Sequence, residues 1–529
     1  MPIADLILKN ARVITMDPAQ PAAEMVAIMG DRILLVSGND SVESVRGAGT
    51  RVIDCAGKTI VPGFNDAHCH VFSLLRQLLS IDISASSVSS IEDIKAAIYQ
   101  KAQQTPPSQW LTATGYNDFY LAEKRHPTRR DLDEVSPAHP VILLHRSLHA
   151  CVLNSRALAL AGISGETEEP PGATIERDLD SGAPSGLLFE MFGHISSQVL
   201  PPLSEAEINR GIALANRHYL SEGITSLQDA TVTNDFGRWQ QFRRFKDAGT
   251  LKSRLFMMFG FDSMSQFREA GLAFGSGDSQ LRLGGVKVVP TDAPGQLYPS
   301  QPELNRMVLE AHRSGFQAAI HAVTQETVEA AITALEYTQN QAPKDGRRHP
   351  FGKLRAGRIE HGSECPPRLL ERLKKLNVVI VTQPPFLYYS GERYLATVPA
   401  DRLPWLYRVK SFLDSGLVVA GSSDSPIVPD NPLVGIYAAV TRKAETLLQA
   451  QGERVVLPEE RISASQALEM YTSNAAYASF EENIKGSVTP GKLADMVILD
   501  ADPTRSPLEH IKDIKVEMTI LGGEVVWEG

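Results

Sequence analysis

Short apolar runs alternate with amphipathic stretches through the middle of the chain. In two of these stretches, residues 204–220 and 324–339, apolar positions recur at spacings of three and four, which predicts helices. The apolar runs are short and rich in Val, Ile and Phe, as is typical of buried strands. The candidate strands are IVPGFNDAH, ITSLQDA, RLFMMFG, GGVKVVP, FQAAIHAV, GRIEHG, NVVIVTQP and LVVAGSSD. Eight strand–helix units in succession predict an α/β fold of the (β/α)8 TIM-barrel type.

The two ends of the chain have a different pattern. Short β-rich runs broken by Gly, Asp and Asn fill residues 1–60, and the same texture returns over 480–529, where Gly522 and Gly523 predict a hairpin turn. We expect the two ends to form one composite β-sandwich. The barrel would then occupy residues 61–479.

The connection between the first and second barrel strands is too long for one helix. About 150 residues separate the two strands, whereas a typical connection is a helix with a few loop residues. We expect an inserted subdomain over residues 73–222. Because the insert begins at the carboxyl end of a strand, it is placed to cover the pocket.

Composition and charge exclude several classes of partner. The 529 residues carry 52 Lys and Arg against 62 Asp and Glu, a net charge of −10, which disfavours nucleic acids and anionic membranes. Neither a secretory signal nor a membrane-spanning run is visible. The four cysteines show no C-x-x-C spacing, which fits a cytoplasmic protein. A small molecule is the expected partner.

Ionisable side chains fall where five of the predicted strands end or just beyond. They are His68, His70, Lys287, His321, His361 and Asp424. Residues two apart on a strand face the same side, so His68 and His70 can bind one ion together. Imidazole and carboxylate ligands without thiolate favour a divalent metal, and zinc is the commonest choice for hydrolysis. The sequence leaves one ion or two ions open.

Two members of this set have additional predicted roles. Asp424 is suited to bind metal and also to act catalytically, taking a proton from water and passing it to a leaving nitrogen. Lys287, desolvated inside a barrel, would react as a free amine, and carbon dioxide would convert it to a carbamate able to bridge two ions. The alternative is an unmodified lysine that binds substrate or extends out of the barrel.

Several of these segments resemble a known family. VPGFNDAHCH resembles the H-x-H signature of the amidohydrolase superfamily, and GRIEHG, GSSDSPIVPDNPLVGIYAAVTR and VTPGKLADMVILDADP are similar to its YtcJ-like branch, which includes N-substituted formamide deformylases. The similarity runs nearly end to end. It implies a metal bound by the four histidines, a carbamylated Lys287 as bridge and Asp424 as catalytic acid and base. It also favours a homo-oligomer.

Candidate substrate contacts come first from the insert. The segment RSLHACVLNS, which resembles the same branch, offers His149 and Asn154 near the end of a predicted strand. We expect His149 to contact the carbonyl or the leaving group of the substrate, with a helix-capping role as the alternative.

Loops after the fourth and seventh strands supply further candidates. Residues 291–298 depart from the family's usual glycine-rich stretch, so substrate choice is expected to depend on this loop and on Tyr298. The aromatic run PFLYYSGERY, with Tyr388 near its centre, would wall an apolar pocket or else pack the insert onto the barrel.

Together these features predict a metal-dependent hydrolase that cleaves a C–N bond of an amide, N-formyl or N-acyl substrate by metal-activated hydroxide, with Asp424 shuttling the proton. One alternative is a mononuclear deaminase of a heterocycle. Such deaminases usually carry a Glu three residues after the fifth-strand histidine, where this chain has Thr324. A second alternative is a barrel kept as a scaffold after loss of catalysis, although such relatives normally lack some ligands.

Overall fold

The computed structural model describes residues 2–170, 172–292, 295–341, 357–376, 378–445 and 454–529. Its central element is an eight-stranded parallel sheet in which the strands follow one another in chain order. The barrel strands are Phe64–Cys69, Ile224–Asp229, Arg254–Gly260, Leu281–Val288, Ala318–Ala322, Gly357–His361, Val379–Thr382 and Val418–Gly421. These are the eight predicted strands, and the expected TIM barrel is confirmed.

The sheet closes between its first and eighth strands. The amide of Asp424 donates to the carbonyl of His68 at 2.8 Å, and the amide of His70 donates to the carbonyl of Ser425 at 2.8 Å. The strands are buried on both faces, as the unbroken burial of Arg254–Gly260 shows. This double burial explains why they read as continuous apolar runs and not as alternating ones.

Helices cover the outside of the barrel. In Pro367–Leu376, for example, the buried Leu369, Leu370 and Leu373 form one stripe, and polar residues fill the other face. The helices around the barrel are Val71–Leu79, Glu205–Ser221, Phe236–Asp247, Met264–Glu269, Gln301–Arg313, Gln325–Gln341, Pro367–Leu376, Pro385–Thr397, Val409–Asp414, Pro432–Thr441, Ala464–Met470 and Ser473–Ala478. Within the described ranges, none of the helices has the length and apolar character needed to cross a membrane.

The N-terminal part of the chain contributes strands to two further sheets, and the C-terminal part adds strands to the second of them. One has the order Arg32–Ser37, Met25–Met29, Leu6–Lys9, Arg51–Asp54, with the helix Val42–Val45 beside it. The other has the order Glu524–Glu528, Val516–Leu521, Met496–Leu499, Thr59–Pro62, Arg12–Ile14, Ala22–Ala23. Apolar residues of the two sheets pack in one cluster, which makes them a sandwich. The strand Thr59–Pro62 crosses the boundary expected at residue 60.

The segment after the first barrel strand contains a six-stranded mixed sheet. Its order is Thr174–Arg177, Pro184–Phe189, Ala150–Leu153, Val141–His145, Leu111–Tyr116, Ile81–Asp82. Its helices are Ile91–Ala102, Arg129–Val135, Ser155–Leu160 and Phe192–Gln198.

The inserted unit is narrower than the expected range 73–222. The flanking helices Val71–Leu79 and Glu205–Ser221 bury Leu75 and Ile212 in the cluster that forms the barrel core. Both helices therefore belong to the barrel. The sheet with its own core lies between them.

A buried ion pair joins the terminal sandwich to the barrel. Arg254 begins the third barrel strand, and its guanidinium donates to both carboxylate oxygens of Asp495 at 2.6 and 2.8 Å. The two side chains are only 2% and 4% exposed. The amide of Gly522, in the terminal hairpin turn, donates to the same carboxylate at 2.9 Å.

We predict that Asp495→Ala lowers the free energy of unfolding by about 3–5 kcal/mol, because it leaves a buried guanidinium without its counter-charge. Calorimetry would show a lower unfolding temperature, and limited proteolysis would show faster cleavage of the terminal strands. The control is Asp513→Ala, which removes a carboxylate that is 57% exposed. Equal stability of the two variants would contradict the assigned role of the pair.

Candidate metal centre

The structure brings all six ionisable residues to the carboxyl end of the barrel. His68, Lys287, His321 and His361 lie within the first, fourth, fifth and sixth strands, His70 directly follows the first, and Asp424 lies just beyond the eighth. The imidazoles form a contiguous group, with ring centroids 5.3 Å apart for His68 and His70, 4.9 Å for His68 and His361, and 4.4 Å for His321 and His361.

Three of these residues converge on one point. The Nε2 atoms of His68 and His70 lie 3.4 and 3.0 Å from Oδ1 of Asp424. Ligand atoms of these three residues all lie within 4.8 Å of one another. Such spacing allows a single ion to contact all three.

Neighbouring side chains orient three of the imidazoles. Nδ1 of His68 lies 2.6 Å from Glu360, Nδ1 of His70 lies 2.9 Å from Thr231, and Nδ1 of His361 lies 2.8 Å from Gln383. In each ring Nδ1 has a partner outside the cluster, so Nε2 is the nitrogen left for a metal. Nε2 of His361 is buried and, among the described residues, has no hydrogen-bond partner.

Lys287 is a further buried residue of this group. Lys287 is 3% exposed, and its Nζ has no hydrogen-bond partner in the described part of the chain. Burial lowers the pKa of its amine to about 8. An orphaned buried amine of this kind fits a group that is completed by a metal or by carbon dioxide.

The electrostatics favour the charge states that metal ligands need. Burial alone would raise the pKa of Asp424, but His68 and the hydrogen bond from His70 outweigh it and hold that pKa below its ordinary value. Burial, together with the charge of Lys287, lowers the pKa of His68 to about 3. Burial also lowers the pKa of His361. Neutral imidazoles and an ionised carboxylate are therefore the stable forms.

Two of the residues occupy the left-handed region of backbone space. His361 has φ 70° and Asp424 has φ 59°. Non-glycine residues rarely adopt this conformation, and it costs about 1–3 kcal/mol where they do. The backbone is therefore strained at His361 and at Asp424, the two positions where it directs a side chain toward the cluster.

The orienting residues were not predicted from the sequence. Arg358 and Glu360 are fully buried in the sixth strand and form an ion pair, and Arg358 also donates to Gln228 at 2.7 Å. A usable signal was present, since two charged residues at alternate positions of an apolar strand must face a polar interior.

Asn154 does not have the expected substrate contact. It is fully buried in the insert, where its Oδ1 accepts from the amides of Val141 and Ala157 at 3.0 Å each. Its Nδ2 donates to the carbonyls of Ser136 and His139 at 3.3 and 2.9 Å. These bonds make it the cap of the helix Ser155–Leu160, a structural role.

Tyr388 also lies outside the cluster. It is on the helix Pro385–Thr397, and its ring packs against the ring of Tyr437, with 5.7 Å between the centroids. Helical periodicity places Phe386 and Tyr394 on the opposite face, beside the insert. The aromatic run therefore divides between packing and lining of a cleft, and Tyr388 belongs to the packing part.

The remaining two candidates are solvent-accessible. His149 follows the insert strand Val141–His145, is exposed, and pairs with Glu190 at 2.8 Å. Tyr298 is 76% exposed and forms a bridge with Thr291 across a turn. Their contacts with substrate stay predictions.

A parallel eight-stranded barrel with histidines, a lysine and an aspartate gathered at its carboxyl end defines the class of barrel metal-dependent hydrolases. The sequence profile of the Amidohydrolase family matches residues 51–527, and the chain belongs to this family. The expected metal-dependent amidohydrolase is thereby confirmed.

Individual relatives cover nearly the whole chain. An N-substituted formamide deformylase from Arthrobacter pascens is 29% identical over 551 residues, 99% of this chain and 98% of the relative. The putative amidohydrolase YtcJ from Bacillus subtilis (strain 168) is 25% identical over 500 residues, 90% of this chain and 91% of the relative. The crystal structure of an uncharacterized metal-dependent hydrolase from Pyrococcus furiosus has a TM-score of 0.72 and 26% identity, covering 94% of this chain and 100% of that one.

We predict that Thr231→Val lowers metal affinity about 10-fold, because His70 loses the hydrogen bond that fixes its ring. The change is nearly isosteric, so the fold should tolerate it. Metal titration followed by equilibrium dialysis measures the effect. Thr233→Val is the matched control, since it makes the same substitution on the same loop at an exposed position. Unchanged affinity in Thr231→Val would show that the contact does not orient the ligand.

Proposed function

We propose that this protein hydrolyses the C–N bond of a small amide, N-formyl or N-acyl compound. The observation that carries the proposal is that two imidazole Nε2 atoms converge on the ionised carboxylate of Asp424. The Nδ1 atoms of His68, His70 and His361 each already have a hydrogen-bond partner. The similarity to a formamide deformylase over nearly all of both chains supports the amide class.

The residues present fit a divalent metal, and zinc suits the ligand chemistry best. His68, His70 and Asp424 would hold one ion, and His321 and His361 would hold a second if Lys287 bridges the two. When bound, the metal supplies Lewis acidity, which lowers the pKa of water to about 7 and polarises a carbonyl.

Asp424 is the proposed proton carrier. Its carboxylate is ionised and contacts His68 and His70 through Oδ1. Oδ2 is then available to accept a proton from the attacking water and to return it to the nitrogen that leaves as an amine. The backbone amide of Ile427 donates to the Asp424 carbonyl at 2.9 Å, which fixes the loop that carries this side chain.

Lys287 is the proposed bridge, in its carbamate form. The Nζ lone pair adds to the carbon of carbon dioxide, a proton leaves the nitrogen, and the product carries one negative charge on two oxygens. The amine is buried and Nζ has no hydrogen-bond partner within the described ranges, which keeps it reactive, and the new carboxylate would lie beside the histidines.

Deamination is disfavoured by what occupies the fifth-strand loop. Thr324 stands where a deaminase glutamate is expected, and its hydroxyl donates to Asp292 at 2.8 Å. The same hydroxyl accepts from the amide of Thr327 at 3.2 Å, in the first turn of the following helix. A threonine hydroxyl is a far weaker acid and base than a carboxyl group, so it does not replace the glutamate that shuttles the proton in a deaminase.

We predict that Asp424→Asn lowers kcat by at least about 100-fold on any amide that the wild type cleaves, because the amide side chain cannot take up the proton. The test is a screen of N-formyl, N-acyl, aryl-amide and cyclic-amide compounds, with and without a chelator, following release of amine. Asp414→Asn, at an exposed helix position, is the control. Activity that survives chelation, or ammonia released only from amino-heterocycles, would refute the proposal.

We predict that Lys287→Ala loses hydrolysis and that added formate or acetate restores part of it, because a small carboxylate can fill the space of the carbamate. Reconstitution of wild-type apoprotein should need carbon dioxide and should quicken as the pH rises through about 8, since only the deprotonated amine reacts. Native mass spectrometry should find one added carbon dioxide. Full metal loading and activity in carbon dioxide-free buffer would contradict the carbamate.

A further inference from the structure

A cleft lies between the inserted unit and the mouth of the barrel, and two arginines line it. Arg146 follows the insert strand Val141–His145, and Arg393 comes from the helix Pro385–Thr397. Phe386, Tyr394 and Ile427 form its apolar wall. The cleft therefore combines two positive charges with aromatic and aliphatic surface.

Neither arginine has an acidic partner within ion-pair distance among the described residues. The Arg146 guanidinium is half-buried and donates to the backbone carbonyl of Tyr389 at 3.0 Å. Arg393 lies over the ring of Tyr394, 5.6 Å from its centroid. Half-buried charges without a counter-charge are costly, and a bound anion would offset that cost.

Nearby carboxylates do not fill this role. Glu445 acts on Arg146 through space, without an ion-pair contact between described atoms. Glu392 precedes Arg393, but its buried oxygens form no hydrogen bond within the described residues. Other arginines near the barrel mouth behave differently, since Arg402 pairs with Glu326 at 3.1 Å and with Glu364 at 3.3 Å.

The cleft adjoins the metal centre. Ile427 is bonded to the Asp424 backbone, and Pro426 lines a second cleft that also contains Arg146 and Ser73, three residues after His70. The charge of Arg393 also acts on His149, which feels the charge of Asp424 as well. The hydrogen bond that the His149 ring donates to Glu190 raises the pKa of His149, the charge of Asp424 raises this pKa further, and the charge of Arg393 lowers it.

We propose that Arg146 and Arg393 form a carboxylate-binding subsite, so that the preferred amide carries a carboxylate next to an apolar substituent. The inference rests on the proposed amide hydrolysis and specifies its substrate class. A guanidinium can hold a carboxylate through two parallel hydrogen bonds, and Phe386 and Tyr394 can pack on the substituent beside it. The scissile bond would then lie toward His70 and Asp424.

The test compares N-formyl-phenylalanine with N-formyl-phenethylamine, which differs only by the carboxylate. We expect wild type to favour the first by about 10- to 100-fold in kcat/KM. In R146Q and R393Q this ratio should fall, mainly through a higher KM for the acid, because the contact is the same before and during the reaction. R146K should keep part of the ratio. R156Q, at an exposed arginine of the insert, should keep all of it.

A binding measurement separates this inference from the proposed reaction. Calorimetric titration of metal-free protein with 3-phenylpropanoate should show binding that 3-phenylpropanol lacks and that R146Q weakens about 10-fold or more. If wild type cleaves both amides equally, or if R146Q and R393Q keep the wild-type ratio, the subsite is refuted while amide hydrolysis stands. If no amide is cleaved but the carboxylate binds, the proposed reaction fails and the subsite stands.

Discussion

The candidate metal centre depends on one constraint, the backbone contact that closes the barrel between its first and eighth strands. We call this contact the seam. His68 and Asp424 are distant in sequence, but a backbone hydrogen bond of 2.8 Å joins them, and a second one joins His70 to Ser425. Because the ligands lie on the two sides of this seam, closing the barrel brings them together. Any change that opened the seam would separate the carboxylate from both imidazoles before it disturbed the rest of the sheet.

Hydrogen bonds with neighbouring residues orient the imidazoles that the seam brings together. Glu360, Thr231 and Gln383 each engage the Nδ1 of one histidine, and Glu360 is itself held by Arg358. Buried imidazoles without such partners would be free to rotate, and burial alone favours their neutral form without choosing a tautomer. The polar interior beneath the ligands therefore sets which nitrogen faces the cluster.

Features that depend on a single strand could be predicted from the sequence. The eight strands could be predicted because burial on both faces leaves a continuous apolar run, and the ligands could be predicted because they follow those runs. Contacts between distant elements could not be predicted. Gln383 reaches His361 only after two strands become neighbours, and Asn154 proves to be a buried helix cap because three segments of the insert meet around its amide. For Tyr388 the sequence left pocket lining and packing open, because the choice depends on which face of a helix the ring occupies.

The proposed catalytic residues come from the barrel alone, whereas the proposed substrate-binding residues come from both the insert and a barrel helix. Barrel strands and the residues just after them supply the histidines, Lys287 and Asp424, whereas the insert supplies Arg146 and His149 at the end of one of its own strands. Arg146 is anchored across the gap by the carbonyl of Tyr389, on a barrel helix. This hydrogen bond helps to position the Arg146 guanidinium relative to the barrel mouth, and it involves none of the candidate metal ligands. On this proposal, substitutions at the insert edge would alter which substrate is bound, while the arrangement of His68, His70 and Asp424, set by the barrel seam and the orienting residues, would stay the same.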